Sequence, residues 1–183
     1  LDESPETNPP TPGTQPDDGL RSDFVDHTDH FKAASSYGTD GEGSRSYTLA
    51  LNDTGVTNPM ATGLFALDTN NDGSGTTPMY QGDEILLSTN ISGDIIGITK
   101  VGLVTTTYFT ISNADAVVTF TQNANIWHSD QSNHDDAAVL TAATGTLLLE
   151  HVITDADGDT AHTDLDLSRG KFIIQDDGPN APA

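Results

Sequence analysis

The acidic run Thr154-Asp155-Ala156-Asp157-Gly158-Asp159-Thr160 combines residue types and spacing that suit metal binding. Its three carboxylates stand at every second position, and a glycine lets the backbone turn between them. Carboxylates this close repel one another unless a cation lies between them, and calcium accepts many oxygen ligands in a flexible geometry. We therefore predict a calcium site with the ligands Asp155, Asp157 and Asp159. The alternative is an acidic hairpin turn without metal, because Asp and Gly are ordinary turn residues.

A second acidic loop, Asp68-Thr69-Asn70-Asn71-Asp72-Gly73, matches the first half of an EF-hand loop, with side-chain oxygens at positions one, three and five. Met79 occupies the twelfth position, where an EF-hand needs a bidentate glutamate. We therefore predict a calcium site in a loop between strands, completed by backbone carbonyls or by Asp83 or Glu84. Its predicted ligands are Asp68, Asn70 and Asp72. A metal-free turn is the alternative, since Asn, Asp and Gly all favour turns.

Other acidic groups are weaker candidates for calcium. The glycine-rich loop at residues 38–43 carries Asp40 and Glu42, and near each terminus a pair of aspartates stands beside a proline or a glycine. Such terminal pairs suit cations that stiffen the junctions between tandem modules, although two acidic turns can also arise by chance. The predicted junction ligands are Asp17, Asp18, Asp176 and Asp177.

The histidines and the single tryptophan have structural explanations as well as functional ones. Residues 26–30 combine two imidazoles with two carboxylates, which zinc can use, but we expect a polar surface segment there. Trp127 is expected to be a core or half-buried anchor whose indole N–H finds a partner, and ligand stacking is the alternative. His128 is expected to form hydrogen bonds rather than to bind metal.

The composition is strongly acidic. Lys and Arg number 6 against 28 Asp and Glu, which gives a formal net charge of −22. This charge argues against nucleic acids and anionic membranes as partners, because phosphate groups would be repelled. Of the acidic residues, 23 are Asp and 5 are Glu. Asp prefers turns and calcium loops to helices, so the excess of Asp indicates loops between strands.

Short runs rich in β-branched residues follow one another beyond Tyr37, separated by turn signals. No long window repeats its apolar residues every 3.6 positions, and residues 21–34 show no clear pattern. We predict an all-β fold, a calcium-stabilised β-sandwich with long loops and few short helices. The predicted strands are 46–51, 64–67, 84–88, 95–99, 107–112, 116–121, 138–141, 147–153, 161–167 and 171–175.

The predicted domain organisation is a Pro- and Asp-rich linker at residues 1–19, a ligand-binding β-sandwich at 20–179 and the start of a second linker at 180–183. Both ends look like cut ends of a longer protein, without a signal peptide. No apolar run approaches the roughly 18–20 residues of a membrane span, so we expect no direct membrane insertion.

Signatures of catalysis are missing from the sequence. There is no Gly-x-Ser-x-Gly elbow, no His-Glu-x-x-His, no P-loop and no dinucleotide fingerprint. The chain has no cysteine, which excludes thiol catalysis. Paired carboxylates can serve a glycosidase, but none of these acids is distinguished from the others. We therefore expect that the protein is not an enzyme.

Five motifs occur in an order that resembles a known domain. They are Tyr37-Gly38-Thr39-Asp40-Gly41, Gly82-Asp83-Glu84-Ile85, Asn125-Ile126-Trp127-His128-Ser129-Asp130, Thr154-Asp155-Ala156-Asp157-Gly158-Asp159 and Asp176-Asp177-Gly178-Pro179. Together they resemble the peptide-binding domain of the large repeats-in-toxin (RTX) adhesins of Gram-negative bacteria, over residues 19–179. The glycine-rich nonapeptide repeats of the RTX β-roll are absent, so this domain would be a neighbouring module.

This resemblance implies a monomeric module with several Ca²⁺ ions that grips the free C-terminus of peptides or proteins on other cells. A bound calcium would help to hold the terminal carboxylate. It also implies an extracellular, cell-surface location reached by type I secretion, with neighbouring adhesin domains as further partners. Exposed acidic and aromatic loops are the expected ligand-binding region, and its predicted residues are Tyr37, Asp40, Tyr80, Asp83 and Trp127. The competing hypothesis is a calcium-rigidified spacer that holds other modules away from the cell.

Overall fold

The structure is a computed structural model that describes residue 1 and residues 22–52, 55, 60–133 and 135–176. Three predicted junction ligands, Asp17, Asp18 and Asp177, lie outside the described residues, as do residues 2–19 and 180–183 of the predicted linkers. The described part of the chain forms eleven strands and one short helix. None of its helical residues belongs to a helix long and apolar enough to cross a membrane.

The elements are eleven strands with one short helix of about two turns between the first and the second strand. The strands are β1 Ser22–Asp26, β2 Glu42–Leu51, β3 Ala61–Leu67, β4 Gln81–Thr89, β5 Ile95–Val101, β6 Val104–Ala114, β7 Val117–Gln122, β8 Ala137–Thr141, β9 Leu147–Asp155, β10 Thr160–Asp166 and β11 Arg169–Gln175. The helix α1 spans Thr28–Ala34.

Three antiparallel sheets make up the domain. The largest has six strands in the order β1-β7-β6-β5-β4-β3, the second has the order β10-β9-β2, and the third pairs β11 with β8. Leu1 lies beside β11: its backbone nitrogen donates to Ile173 O at 2.8 Å, and its carbonyl accepts from Gln175 N at 2.8 Å. The first residue of the predicted linker therefore contacts the domain.

One apolar core joins the three sheets. In strands such as β3 and β7, alternate residues point inward, as the period of two of a β-strand requires. The six-stranded sheet contributes Ile85, Phe109 and Phe120, and the smaller sheets contribute Leu149 and Phe172 among others. The all-β prediction is confirmed, and each of the ten predicted strands corresponds to an observed one.

The first strand and the helix were not predicted, and their exposure explains why. All five residues of β1 are exposed, so its sequence shows no alternation of apolar and polar residues. In α1 the side chain of Phe31 is fully buried against Tyr47 and His151. Phe31 is the one buried residue among those of α1 whose burial is known, and it leaves no helical period to detect.

The pairing of β2 with β9 positions the acidic loops. In its register Leu51 lies opposite Leu147 at one end and Glu42 opposite Asp155 at the other, with an irregularity between Glu42 and Ser44. Strand β10 pairs with the other edge of β9, from Asp166 opposite Leu148 to Thr160 opposite Thr154. The loop before β2 and the turn between β9 and β10 therefore meet at the same end of this sheet.

Candidate functional site

The loop before β2 is held against the β9–β10 turn by the backbone. The amide of Ala156 donates to the carbonyl of Gly41 at 3.1 Å. At the irregularity in the β2–β9 pair, a Cβ on Gly43 would overlap the carbonyl oxygen of Asp155. Because any other residue at position 43 would push the strands apart, glycine is required for this close approach.

The β9–β10 turn is stabilised by its first aspartate. Oδ1 of Asp155 accepts hydrogen bonds from the amides of Gly158 at 3.1 Å and Asp159 at 2.8 Å. Gly158 has a φ of 103°, which side-chain-bearing residues rarely adopt. The carboxylate of Asp155, which the sequence predicts as a metal ligand, therefore also fixes the shape of the turn.

Three carboxylates converge at this end of the sheet. Asp40, Asp155 and Asp157 each place an oxygen within 4.8 Å of the other two, and we call them the acidic cluster. Among the described residues no other trio of acidic or histidine side chains is this close. Two predicted candidates, the 38–43 loop and the 154–160 run, therefore lie next to each other in the fold. Asp159 is exposed and lies outside the trio.

Electrostatic repulsion marks the acidic cluster. A hydrogen bond with Asp155 and the negative charge of that residue raise the pKa of Asp157. The pKa of Asp155 is lowered, first by the hydrogen bond with Asp157 and then by the amides of the turn. The negative charges of Asp155 and Asp157 therefore lie close together, and a bound cation would relieve their repulsion.

The negative charge of Glu42, also predicted as a ligand, is neutralised by the guanidinium of Arg45. Oε1 of Glu42 accepts from Nη2 of Arg45 at 2.6 Å and from the hydroxyl of Tyr37 at 3.2 Å. The hydrogen bond from Arg45 and the positive charge of its guanidinium lower the pKa of Glu42. The Arg45 guanidinium lies 5.7 Å from the centre of the Tyr37 ring. Because Glu42 pairs in register with Asp155, this group lies beside the acidic cluster.

The second predicted calcium loop, between β3 and β4, is stabilised by its own hydrogen bonds. Oδ1 of Asp68 accepts from the amide of Asn70 at 2.9 Å, and Oδ1 of Asp72 accepts from the amide of Ser74 at 2.9 Å. The hydrogen bonds from Ser74 lower the pKa of Asp72. Asp68 and Asp72 do not join any close trio of acidic side chains in the described part of the chain.

Asn71, which was not among the predicted ligands, holds this loop closed. Its side-chain amide donates to the carbonyls of Pro78 and Gln81, at 2.8 Å each. The backbone carbonyl of Asn71 accepts a hydrogen bond from the backbone amide of Tyr80 at 2.9 Å. The neighbouring predicted residue, Asn70, is exposed and contributes its backbone amide to the turn.

The two acids proposed to complete that loop have different positions. Oε1 of Glu84 accepts from the amide of Gly63 at 3.1 Å, where β3 departs from regular pairing. Asp83 is exposed and lines, together with Asp68, a groove of about 590 Å³. Thr99, Thr106 and Tyr108 line the same groove. Asp83 therefore lies beside the β3–β4 loop.

Trp127 and Tyr80 lie together. The indole N–H of Trp127 donates to the carbonyl of Met79 at 2.9 Å. Its ring packs edge-to-face on the ring of Phe65, with ring centres 6.1 Å apart. This confirms that the tryptophan is a half-buried anchor with a partner for its N–H. Tyr80 has a φ of 62°, a left-handed conformation that costs of order 1–3 kcal/mol for a residue with a side chain. Both rings line a cleft of about 250 Å³, which we call the aromatic cleft.

His128 and Asp176 also line the aromatic cleft. His128 is 7 % exposed, and burial lowers its pKa, while the charges of Asp176 and Asp136 raise it less strongly. The amide of Asp176 donates to the carbonyl of Asp136 at 2.9 Å. Asp176, predicted at a junction between modules, thus lies in the wall of a cleft. The cleft and the acidic cluster share no residue.

The histidine-rich stretch at residues 26–30 starts the helix. Oδ1 of Asp26 accepts from the amide of Thr28 at 2.8 Å, and the His30 ring packs edge-to-face on Phe31. This stretch contributes to no close trio of metal-binding side chains in the region described. Sequence reasoning missed His151, which is buried beneath α1, because a lone histidine inside an apolar strand carries no motif.

A family model described as a domain of unknown function (DUF5801) matches residues 1–168. The match covers β1 to β10 and ends before β11. Searches of curated proteins and of solved structures found no match to this chain. With most of its length covered by the family model, the chain belongs to the DUF5801 family.

Proposed function

We propose that this domain is a calcium-dependent peptide-binding module of a bacterial surface adhesin, and that it grips the free C-terminus of a peptide through a bound Ca²⁺. The observation that supports this proposal best is the acidic cluster. Asp40 comes from a different part of the chain than Asp155 and Asp157, yet its carboxylate oxygen lies within 4.8 Å of theirs. Three converging carboxylates in a chain of net charge −22 provide a strong electrostatic attraction for a divalent cation.

The ligand set favours calcium among the common cations. All the side-chain ligands are carboxylate oxygens, which hard cations prefer to nitrogen or sulfur ligands. Magnesium demands a near-ideal octahedron, whereas calcium tolerates irregular sites with 6–8 oxygens at about 2.3–2.6 Å. When a hairpin turn and a loop supply the ligands, the arrangement of those ligands around the ion is irregular. The exposure of the site suits the weaker affinities, about 10⁻⁴–10⁻³ M, of extracellular calcium modules.

The exposure of the acidic cluster supports a role in ligand binding. Asp40 and Asp157 are exposed and Asp155 is partly buried, so three carboxylates leave coordination positions open to water. A peptide carboxylate can replace such water molecules, because the bound ion is then the largest charge in the site. Arg45 and Tyr37 lie beside the cluster and offer a guanidinium and a phenol to the same peptide.

The proposed setting rests on the resemblance of the sequence to the peptide-binding domain of RTX adhesins. An adhesin module would act outside the cell, at the surface, after export by type I secretion, and it would bind protein C-termini on other cells without catalysing a reaction. A structural spacer is the second candidate. A cation in the cluster would also fasten the loop before β2 to the β9–β10 turn, which are already joined by the Ala156–Gly41 hydrogen bond.

The test compares peptide pairs that differ only at the C-terminus, a free acid against an amide, by calorimetry with the calcium-loaded domain. We expect that the free acids bind, that the amides do not, and that a chelator abolishes binding. Asp40→Asn should weaken calcium binding and peptide binding together. Equal binding of both peptide forms would contradict the carboxylate mechanism. If no peptide of a diverse library binds while calcium still does, the spacer is the better assignment.

A further inference from the structure

The aromatic cleft has walls that are fixed before any ligand arrives. The Trp127 indole donates to the carbonyl of Met79, which immediately precedes Tyr80, so one hydrogen bond connects the two aromatic walls. Tyr80 is held from both sides, since its amide donates to the Asn71 carbonyl at 2.9 Å and its carbonyl accepts from the Asp68 amide at 2.8 Å. A left-handed tyrosine maintained by this many contacts indicates a conformation kept for a function.

The chemistry of the aromatic cleft favours a positive charge. The only N–H of the Trp127 side chain is already used within the protein, so the indole offers a ligand its π-surface rather than a hydrogen bond. The faces of aromatic rings attract cations, and tryptophan is the strongest of them. Asp176 adds a carboxylate to the wall, and no lysine or arginine occurs among the described residues that line the cleft. The net charge of −22 strengthens this preference and disfavours anions.

The size of the cleft restricts the ligand to a small group. Its volume of about 250 Å³ lies below the roughly 300–1,000 Å³ of pockets that enclose drug-sized molecules. A single long side chain is the largest group that such a cleft can surround. Asn125 and Gln131 line it as well and offer amide oxygens that can accept hydrogen bonds from N–H groups.

We propose that the aromatic cleft binds an organic cation, namely the guanidinium or ammonium group of an arginine or lysine side chain presented by a partner protein. The cation contacts Trp127 and Tyr80, and its charge is attracted by the carboxylate of Asp176. This inference does not depend on the proposed function, because the cleft shares no residue with the acidic cluster and needs no metal. It gives the domain a second contact point, with the opposite charge preference to a terminal carboxylate.

Trp127 is the only tryptophan of the chain, so its fluorescence reports directly on the cleft. The probe is Nα-acetyl-arginine amide, titrated in the presence of a chelator so that calcium sites cannot contribute. The matched control is Nα-acetyl-citrulline amide, which has nearly the same shape without the charge. We expect a saturable fluorescence change with the arginine derivative and at least about tenfold weaker binding of the citrulline derivative.

Tyr80→Gly is the informative variant, because glycine accepts the left-handed φ and removes the ring without straining the loop. We expect this variant to fold, as judged by circular dichroism, and to bind the arginine derivative about tenfold more weakly. Phe24→Leu, which removes an exposed ring from β1, should bind like the unmodified domain. Equal binding of both derivatives, no fluorescence change with the arginine derivative, or unchanged affinity of Tyr80→Gly would each overturn the proposal.

Discussion

The imidazole of His151 stacks on the ring of Tyr47, with ring centres 4.5 Å apart and planes 14° apart, across the β2–β9 pair. Phe31 covers the same imidazole from α1, and Nδ1 lies 3.5 Å from the hydroxyl of Ser35. His151 is 2 % exposed. Burial, and to a smaller extent the nearby charge of Arg45, lower the pKa of His151 below the ordinary value of 6.5.

This burial predicts a loss of stability in mild acid. Below pH 6.5 an unfolded chain binds a proton on His151 that the folded chain excludes, so the free energy of unfolding falls as the pH drops through that value. The slope for one such proton is at most about 1.4 kcal/mol per pH unit. His151→Phe keeps an aromatic ring against Tyr47 and should reduce the slope, measured by urea unfolding between pH 7 and 5. His162→Gln, on exposed β10, is the control, and an unchanged slope in His151→Phe would contradict the assignment.

Replacing Trp127 with Phe should destabilise the loop between β3 and β4. The change keeps an aromatic ring against Phe65 but removes the hydrogen bond to the Met79 carbonyl. The expected cost is about 1 kcal/mol in the free energy of unfolding. Urea unfolding followed by circular dichroism measures it, since the variant lacks tryptophan fluorescence. Phe24→Leu on the surface should stay within about 0.5 kcal/mol, and a Trp127→Phe effect of the same size would refute the role of this hydrogen bond.

Removal of calcium should lower the melting temperature. An ion that binds only the folded state, at a hundredfold excess over a Kd of about 10⁻⁴ M, stabilises it by about 2.7 kcal/mol. For a domain of this size that corresponds to roughly 8 °C. Thermal melting with calcium and with chelator measures the difference, and magnesium should restore less of it than calcium does. A melting temperature that is insensitive to chelator would remove the main support for calcium binding.

Asp157→Asn should have opposite effects with and without calcium. In calcium the variant loses a ligand and should melt several degrees lower than the unmodified domain. In chelator it should melt at the same temperature or higher, because the repulsion from Asp155 is relieved. This reversal of sign separates a metal site from an ordinary hydrogen-bonded turn. Lower stability in both conditions would indicate that Asp157 acts only within the turn.

Asp115→Asn is the matched control for Asp157→Asn. Asp115 lies in the turn between β6 and β7, as the sequence predicts, but it has a φ of 52°. Alanine would be strained in this left-handed conformation, whereas asparagine adopts it readily. The asparagine variant should therefore melt like the unmodified domain both in calcium and in chelator.

The sequence was informative where the strands are half buried and uninformative where they are not. Alternation identifies β7, in which Val118 and Phe120 face the core, because the period of two is imposed by burial on one face. In β1 no residue is buried, so its pairing with β7 is decided by backbone hydrogen bonds that leave no pattern in the side chains. The same reason explains why α1 was not predicted. Among its residues of known burial, only Phe31 is buried.

The candidate site was predictable residue by residue but not as an assembly. Asp40 and Asp155 could each be nominated from local composition. Their convergence depends on the register that places Glu42 opposite Asp155, and this register is set by packing along the whole length of β2 and β9. The ion pair of Glu42 with Arg45 is formed within β2 by residues three positions apart, so it is the addition of Asp40 to the site that does not follow from spacing.

The pairing of β2 with β9 also has a consequence for the order of events during folding. These strands are separated by six others in the chain, so closing the loop between them is entropically costly and slow. The acidic cluster exists only after that closure, and a cation bound there stabilises the native state more than the preceding transition state. In the proposed calcium-bound form, the ion therefore slows unfolding far more than it accelerates folding. Calcium would then determine how long the folded module survives, rather than how quickly it forms.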